Sequence, residues 1–369
     1  MKILITGAKG FLGKNLVAEL KATTDHELYE YDIDTPIEKL EEWTKKCEFV
    51  FHFAGVNRPQ SDEKFMQGNF GFTSTLLDLL KKNENKSPIV FSSSIQASFD
   101  NPYGQSKKAG EDLIFSYGKE NSVPVYVYRF ANLFGKWSRP NYNSVVATFC
   151  HKVARNEEIS VNNPNANIEL CYINDVLDEL KLTLKGQGHL EEPFNYVPVT
   201  HKTTVGEIAE LVKSFKLSRE NLSVPNQKSP LSKKLYATYL SYLPEDEFAY
   251  DLKMNIDNRG YFTEFLKTPE RGQVSINYAK PGITKGQHWH HSKNEKFLVV
   301  AGEGMIRFRK YGENKVIEYP VSGEKLEVVD IPTGYTHSIV NTGDTDMITV
   351  MWANETYDPE NPDTYYEEV

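Results

Sequence analysis

The segment KILITGAKGFLG, residues 2–13, decides the fold of the first half of the chain. An apolar run, residues 3–5, is followed at once by glycines at Gly7, Gly10 and Gly13. Gly7 permits a tight turn from strand to helix, Gly10 lets a pyrophosphate approach the backbone, and Gly13 lets the helix pack on the sheet. The N–H groups at a helix N-terminus then attract phosphate. The segment predicts a dinucleotide-binding loop, with a sharp turn that binds nothing as the alternative.

Short apolar or aromatic runs alternate with helical stretches through the first half of the chain. The runs are residues 3–5, 27–32, 49–53, 89–91 and 125–128, and helical patterns cover residues 71–82 and 107–117. This alternation predicts an α/β domain, a Rossmann-like doubly wound parallel sheet, over residues 1–245. Within residues 222–243 the pattern gives way to Pro, Ser and Lys, with Pro225, Pro230 and Pro244 as breakers. We therefore expect the domain boundary near residues 245–252.

After that boundary the sequence changes to strand-like segments divided by Gly, Pro and Asn. These segments are residues 272–278, 296–300, 304–310, 316–319, 327–331 and 347–352. Many short strands at regular spacing predict an all-β barrel over residues 252–369. The acidic and aromatic end, residues 355–369, is predicted to be a loosely held tail.

Composition excludes several classes of protein. The net charge is −9 without a basic block, which disfavours nucleic acid and anionic membranes as partners. No apolar run reaches the roughly 18–20 residues of a membrane helix, and the N-terminus lacks the pattern of a signal peptide. Three cysteines in 369 residues do not make a disulfide scaffold. We expect a soluble, cytoplasmic protein that binds neither nucleic acid nor membranes.

A second motif of the first domain is Tyr103-Gly-Gln-Ser-Lys107. Tyr103 and Lys107 are four residues apart and share one helix face. A lysine ammonium there is expected to lower the phenol pKa from its reference value near 10, which makes Tyr103 a proton donor and acceptor. Three serines, residues 92–94, end the preceding strand at the carboxyl edge of the sheet, where ligands bind.

With these motifs, residues 1–243 resemble the extended short-chain dehydrogenase/reductases that act on nucleotide sugars. The resemblance also includes HFAG at 52–55, Asn69, RFANLFG at 129–135 and YINDV at 172–176. It implies that Ser94 and Tyr103 hold the substrate keto or hydroxyl oxygen and that Lys107 binds the cofactor ribose. It also implies contacts of Asn132 with the sugar nucleotide and of Arg139 with its phosphates. The spacing from Ser94 to Tyr103 is short for this family, so Ser92 or Ser93 remains an alternative.

The cofactor-binding residues expected from the motif and the resemblance form one set: Gly7, Lys9, Gly10, Phe11, Leu12, Gly13, Asp32, Ala54, Gly55 and Lys107. Asp32 ends the second strand, where a carboxylate accepts from a free ribose hydroxyl and so favours NAD. Lys9 is placed to pair with a 2′-phosphate instead. The whole-chain resemblance given below implies NADPH, which we adopt with NADH as the alternative.

The second half contains a cluster of metal-ligand residues. His288 and His290 would share one face of a strand, and we expect Glu295 and His337 to converge on them from neighbouring strands. Three imidazoles and a carboxylate suit Zn²⁺, Fe²⁺, Mn²⁺ or Ni²⁺. The spacing, together with glycines and Pro332, resembles the two motifs of the cupin family, which implies a cupin barrel with a divalent metal, for which we adopt Zn²⁺. His291 is an alternative ligand or an acid/base, and a metal-free barrel is the alternative reading.

The whole chain resembles the bifunctional capsular polysaccharide synthesis enzymes, in which such a reductase is fused to a cupin domain. That resemblance implies that the cupin epimerises C3 of a UDP-2-acetamido-2,6-dideoxy-4-hexulose, a UDP-4-keto-6-deoxy-HexNAc. The reductase would then reduce C4 with NADPH to UDP-2-acetamido-2,6-dideoxy-L-talose, towards UDP-N-acetyl-L-fucosamine for capsular polysaccharide. Lys285 is expected to bind substrate, and His291, Tyr335 and Lys285 are the candidates for the epimerase base.

Two other functions remain open at this point. The first alternative is a one-step reductase with a structural cupin domain. The second is a protein that binds nucleotide sugars without turnover, which the presence of Tyr103 and Lys107 disfavours. The reductase family further implies a homodimer built from the helices at residues 76–82 and 110–117. Covering the sheet explains their apolar faces equally well.

Overall fold

The computed structural model describes residues 1–57, 61, 63–268 and 270–369. Contacts divide the chain into two compact units. The first comprises Met1–Lys213 and Lys228–Pro244, and the second comprises Ser214–Gln227 and Glu245–Val369.

Strands and helices alternate along residues 1–244. The strands are β1 (Lys2–Thr6), β2 (Glu27–Tyr31), β3 (Phe49–His52), β4 (Ile89–Ser94), β5 (Val125–Phe130), β6 (Asn132–Phe134), β7 (Asn167–Tyr172), β8 (Leu190–Glu191), β9 (Phe194–Asn195) and β10 (His201–Thr204). The α-helices are α1 (Phe11–Thr23), α2 (Ile37–Trp43), α3 (Glu63–Phe65), α4 (Phe72–Lys82), α5 (Pro102–Asn121), α6 (Val145–Ala154), α7 (Ile173–Thr183), α8 (Val205–Glu220) and α9 (Pro230–Leu240). A π-helix spans Met66–Gly71 and a 3₁₀-helix spans Ile95–Ser98.

The main sheet of the first unit has the strand order β2-β1-β3-β4-β5-β9-β8. Strands β1 to β5 pair in parallel. The chain moves from β1 to β2 on one side and continues at β3 on the other, so the strand order reverses at β1. In open α/β sheets the crevice at such a reversal, at the carboxyl ends of the strands, is where ligands bind. A smaller sheet has the order β10-β7-β6.

Helices cover both faces of the parallel sheet. Successive residues of β1 point to opposite faces: Ile3 and Ile5 join a core with α1 and α7, whereas Leu4 joins a core with α4 and α5. Burial on both faces explains why the strands read as continuous apolar runs. The predicted doubly wound α/β fold is confirmed. The apolar residues of α4 and α5 face this sheet.

The second unit is built from antiparallel strands. They are β11 (Asn255–Asp257), β12 (Gly260–Thr268), β13 (Gly272–Ala279), β14 (Thr284–Trp289), β15 (Glu295–Ala301), β16 (Glu303–Lys310), β17 (Val316–Ser322), β18 (Val328–Ile331), β19 (Tyr335–Asn341), β20 (Met347–Ala353) and β21 (Tyr365–Tyr366). One sheet has the order β11-β12-β13-β20-β15-β18, and the other has the order β17-β16-β19-β14-β21. Residues of both sheets, such as Phe297 and Ile339, share one apolar core. This all-antiparallel unit agrees with the predicted cupin-like barrel.

Two local predictions from the sequence are wrong. Pro230 does not break a helix but stands in the first turn of α9, where its missing N–H has no partner to lose. The Ser229 side chain caps that helix by accepting from the N–H of Ser232. Residues 355–369 are not simply a loose tail, because β21 pairs with β14. Among the described residues, no helix combines the length and apolarity needed to cross a bilayer.

We predict that Leu16→Ala destabilises the first unit. Leu16 is fully buried in the core between α1 and the sheet. The lost apolar contacts and the resulting cavity should lower the free energy of unfolding by about 2–5 kcal/mol, measured by urea denaturation. Ile33→Ala is the matched control, since Ile33 is 99% exposed, and should change it by less than ~0.5 kcal/mol. Equal losses in both variants would contradict the assigned core.

Candidate active site and candidate metal centre

The glycine loop after β1 needs glycine for steric reasons. Gly7 has φ +69°, and a Cβ there would lie 2.7 Å from the backbone nitrogen of Ala54. A Cβ on Gly13 would lie 2.1 Å from the carbonyl oxygen of Gly7. Gly10 caps α1 without a side-chain hydrogen bond, so the first N–H groups of the helix are open to an anion. The loop thus has the geometry expected of a pyrophosphate site.

A cavity of about 640 Å³ lies at the carboxyl ends of the parallel strands. Most of the residues predicted for the first site line it, namely Gly7, Lys9, Gly10, Phe11, Leu12, Gly13, Gly55, Ser94, Tyr103, Lys107, Asn132 and Arg139. Asp32 and Ala54 are not among its lining residues. Ala54 packs against Gly7, and Asp32 accepts from the N–H of Lys9 at 2.7 Å. These two residues therefore contact the backbone of the glycine loop without lining the cavity.

The three serines that end β4 have different partners. The Ser92 hydroxyl donates to the carbonyl oxygen of His52 at 3.4 Å, and the Ser93 hydroxyl donates to the buried carboxylate of Glu111. Ser94 is only half-buried; its hydroxyl accepts from the N–H of Gln96 at 3.2 Å and acts on the Tyr103 phenol to lower its pKa, against the effect of burial. The geometry therefore favours Ser94 over Ser92 and Ser93 as the serine that acts with Tyr103.

The pKa of Tyr103 moves in the direction opposite to the one expected from the sequence. Burial raises the pKa of this phenol, and the hydrogen bond with Ser94 only partly offsets the rise. The Lys107 ammonium donates to the carbonyl oxygen of Ser92 at 2.7 Å. Tyr103 is therefore protonated at neutral pH, which is the state a proton donor requires.

Lys107 is itself fully buried. Desolvation lowers the pKa of its ammonium to about 8, and the nearby Glu111 carboxylate opposes this shift. A Cβ on Gly55 would lie 3.4 Å from Lys107 Nζ and 2.7 Å from Asn69 Oδ1, so glycine at this position keeps the space beside the ammonium open. Asn69 in turn donates to the Ser106 hydroxyl at 2.9 Å.

Glu111 is a residue of this site that the sequence reasoning missed. Its buried carboxylate accepts from Arg129 Nε at 2.9 Å and Nη2 at 2.6 Å, and from the Ser93 hydroxyl. Glu111 therefore ties α5, which carries Tyr103 and Lys107, to the serine strand β4 and to β5. The available signal was its position four residues after Lys107, on the same helix face.

Two carboxylates stand at the end of β2. Asp32 accepts from the N–H of Lys9 and from the N–H of Ile33 at 2.8 Å. The Lys9 ammonium pairs with Asp34. A 2′-phosphate bound here would have to compete with Asp34 for Lys9.

The four predicted metal ligands come together in the second unit. One ligand atom each from His288, His290, Glu295 and His337 lies within 4.8 Å of the other three. His288 on β14 pairs directly with His337 on β19, and Glu295 begins β15. Glu295 Oε2 lies 3.5 Å from His290 Nε2 and 3.3 Å from His337 Nε2. Residues spread over 50 positions of sequence therefore form one ligand cluster.

The polar atoms of this cluster fit a divalent metal. His290 Nε2, His337 Nε2 and Glu295 Oε2 are buried and have no hydrogen-bond partner among the described residues, which is costly unless something binds them. Burial lowers the pKa of His288 to about 3, so its imidazole is neutral, as a ligand must be. Burial alone would raise the pKa of Glu295, but the adjacent His290 and His337 rings and the Lys293 ammonium hold it below its usual range. Three imidazoles and a carboxylate match a zinc-type donor set.

Lys293 is the second residue missed from the sequence. Its ammonium lies 3.1 Å from Glu295 Oε1, on the side of the carboxylate away from the histidines. Glu295 thus has one oxygen held by Lys293 and one facing the cluster.

The residues proposed to act beside the metal lie in three different places. Lys285 Nζ donates to Asn277 Oδ1 at 2.9 Å and to the carbonyl oxygens of Tyr278 at 2.8 Å and Tyr261 at 3.3 Å. His291 packs edge-on against the rings of Trp289 and Tyr365. Tyr335 lines a second cavity, of about 570 Å³. Their roles in binding or catalysis stay predictions, and His291 lies outside the ligand cluster.

Comparison with known proteins places the chain in a family. Residues 3–195 match the model of the NAD dependent epimerase/dehydratase family. The chain belongs to this family. Residues 255–365 match a second model, the polysaccharide biosynthesis C-terminal domain. Membership confirms the prediction of an NAD(P)-dependent enzyme, with a nicotinamide dinucleotide as its cofactor.

Relatives cover the whole chain. A UDP-2-acetamido-2,6-beta-L-arabino-hexul-4-ose reductase of Pseudomonas aeruginosa is 44% identical over 365 residues, covering 99% of this chain and 98% of that protein. A crystal structure of the capsular polysaccharide assembling protein CapF from Staphylococcus aureus has a TM-score of 0.95 and 56% identity, covering 100% of both chains. The predicted resemblance to the capsular polysaccharide enzymes is confirmed.

A more distant structure agrees with the fold alone. UDP-glucuronic acid 4-epimerase from Bacillus cereus, solved with UDP-glucuronic acid and NAD, has a TM-score of 0.55 and 17% identity. The match covers 66% of this chain and 98% of that one.

The buried ammonium of Lys107 predicts a pH-dependent stability. Its pKa is about 8 in the folded chain and 10.5 ordinarily, so between these values the unfolded chain holds the proton that the folded chain has lost. Stability then rises with pH. Relative to Lys107→Met, the wild type should gain about 2 kcal/mol in free energy of unfolding from about pH 7.5 to 9.5, measured by urea denaturation.

The exposed neighbour Lys108 supplies the control for this measurement. Lys108→Met should follow the wild-type profile. A constant difference between the wild type and Lys107→Met across the range would show that the ammonium is not desolvated.

Proposed function

We propose that the chain is a bifunctional UDP-sugar enzyme. The second unit epimerises C3 of a UDP-2-acetamido-2,6-dideoxy-4-hexulose, and the first unit then reduces the C4 ketone to UDP-2-acetamido-2,6-dideoxy-L-talose, towards UDP-N-acetyl-L-fucosamine. The name of the Pseudomonas aeruginosa relative supports a substrate with a UDP group and a ketone at C4. The observation that carries the proposal is that one chain holds both a Ser94–Tyr103–Lys107 site and a buried cluster of unpaired ligand atoms.

In the first unit the residues suit ketone reduction. NADPH, with NADH as the alternative, supplies the hydride. The protonated phenol of Tyr103 gives a proton to the C4 oxygen, and the Ser94 hydroxyl holds that oxygen beside it. Lys107 binds the cofactor ribose, while Gly7, Gly10 and Gly13 admit the pyrophosphate to the N-terminus of α1. Asn132 and Arg139 line the cavity where the sugar nucleotide would lie.

In the second unit the residues suit proton exchange next to a ketone. His288, His290, Glu295 and His337 hold the metal, for which we propose Zn²⁺; when bound it polarises the ketone and so acidifies the proton at C3. Lys293 keeps Glu295 ionised and oriented. His291, Tyr335 and Lys285 remain the candidates for the base, with Lys285 also a substrate-binding candidate.

We also propose a cytoplasmic homodimer. The three cysteines Cys47, Cys150 and Cys171 are free and buried, which fits a reducing compartment. The dimer rests on the reductase family, and sedimentation of the purified protein tests it.

Tyr103→Phe should abolish reduction but spare epimerisation. Without the phenol no group delivers the proton to the C4 oxygen, so NADPH oxidation, followed at 340 nm with a UDP-4-keto sugar, should fall by about 10²-fold or more. Tyr126→Phe is the control, since its hydroxyl is not part of the cavity, and should stay near wild type. If Tyr103→Phe also lost exchange at C3, the two activities would not occupy independent sites.

Exchange at C3 tests the metal centre. In D₂O without NADPH, the wild type should introduce deuterium at C3 of the UDP-4-keto sugar, seen by NMR. His337→Ala should lose both bound metal and exchange, because His337 contributes one of the clustered ligand atoms. His291→Ala should retain its metal, since this ring packs on Trp289 outside the cluster. A wild type with no exchange would instead be a one-step reductase with a structural second unit.

A further inference from the structure

The C-terminal segment, residues 363–369, lies directly against the strand that carries His288. In the β14–β21 ladder, Tyr366 pairs with His288 and Tyr365 pairs with Trp289. The N–H of Glu367 donates to the carbonyl oxygen of Gln287 at 3.0 Å. The end of the chain is therefore an edge of the metal centre.

Asp363 touches this centre through both its backbone and its side chain. Its carbonyl oxygen is hydrogen-bonded to His290 Nδ1. Its carboxylate accepts from the N–H groups of His291 at 2.8 Å, Ser292 at 2.7 Å and Lys293 at 2.8 Å, and from the Ser292 hydroxyl at 3.0 Å. Four donors from one short loop thus converge on a single side chain.

The backbone contact determines the tautomer of His290. A carbonyl oxygen only accepts, so Nδ1 must carry the hydrogen, and in the neutral ring the lone pair is then on Nε2. Nε2 is the buried atom without a hydrogen-bond partner, 3.5 Å from Glu295 Oε2. A hydrogen bond on the other ring nitrogen is how proteins orient metal-binding histidines.

The side-chain contact fixes the loop between two ligands. Residues 291–293 connect His290 to Glu295, and Lys293 also reaches Glu295 Oε1. Holding three successive N–H groups on one carboxylate sets the path from one ligand to the other. Both carboxylate oxygens of Asp363 accept hydrogen bonds from this loop.

We propose that Asp363 is a positioning residue of the metal centre. Through its carbonyl it holds His290 in the Nδ1–H tautomer, and through its carboxylate it fixes the loop that sets His290 against Glu295. This inference rests on the metal centre proposed above. It gives the C-terminal segment a role that the motif spacing does not reveal.

Zinc affinity of the full-length protein tests the carboxylate, measured by competition with a chromophoric chelator. Asp363→Asn keeps the backbone contact but replaces one acceptor oxygen by a donor, so zinc should bind about 10-fold more weakly or worse. Chain 1–362 loses both contacts and should approach ~100-fold. Asp358→Asn is the control, since within the described part of the chain the Asp358 carboxylate accepts from the nearby N–H of Glu360 and does not touch the cluster. It should bind zinc as the wild type does.

The tautomer gives a readout that does not depend on bound metal. With ¹⁵N-labelled histidine, metal-free wild type and Asp363→Asn should show His290 as Nδ1–H, assigned by its absence in His290→Gln. Chain 1–362 should show a mixture. Thermal unfolding checks that each variant folds. If chain 1–362 does not fold, the zinc affinity of Asp363→Asn alone tests the inference.

The failures are distinguishable. A wild type that binds no zinc overturns the proposed metal centre and this inference with it. A wild type that binds zinc, with Asp363→Asn within about twofold of it, overturns this inference alone. So does an Nε2–H tautomer of His290 in the metal-free wild type.

Discussion

The first unit depends on how closely two backbones approach at the carboxyl ends of β1 and β3. The strand order reverses at β1, so the segments after these strands diverge and leave a crevice. Gly7 closes the base of that crevice, because a Cβ there would lie 2.7 Å from the backbone nitrogen of Ala54. With this contact in place, α1 presents its open N-terminus to the cavity that Tyr103 and Lys107 also line. The proposed cofactor site and reaction site thus both follow from one topological feature.

Much of this unit could be predicted because its signals are local. Strands buried on both faces appear as apolar runs, and the glycine spacing reports a backbone too crowded for any side chain. The predictions that were wrong concern properties set by the surroundings of a residue in the folded chain. The sequence places Lys107 near Tyr103 but does not show that burial outweighs it and raises the phenol pKa. Pro230 was misjudged because a proline that starts a helix and one that ends it look alike without the cap at Ser229.

In the second unit too, features that depend on nearby residues were predicted and contacts between residues far apart in the sequence were not. The four clustered residues could be predicted because His288 and His290 alternate on one strand and the whole set has the spacing of the cupin motifs; their role as ligands stays a prediction. Strand β12 was missed because the charged residues Glu264 and Lys267 interrupt its apolar alternation, whereas β14 and β19 were expected only through the histidines they carry. Lys293 and Asp363 were missed for another reason. Asp363 is 73 residues from His290, and the sequence around either residue contains no motif that predicts their contact.

The two sites treat buried charge alike. In each, a lysine with little exposure lies near a buried carboxylate: Lys107 near Glu111, and Lys293 beside Glu295. A buried charge is tolerated only when it is paired, so removing one partner leaves the other uncompensated. At the first site two cations, Lys107 and Arg129, lie near the single carboxylate of Glu111, which leaves excess positive charge there. Positive charge fixed in advance stabilises an oxygen that becomes negative during reaction. In the proposed sequence a ketone would first lose a neighbouring proton and then accept hydride, and negative charge would develop on the same oxygen in both steps, so one substrate would suit both units.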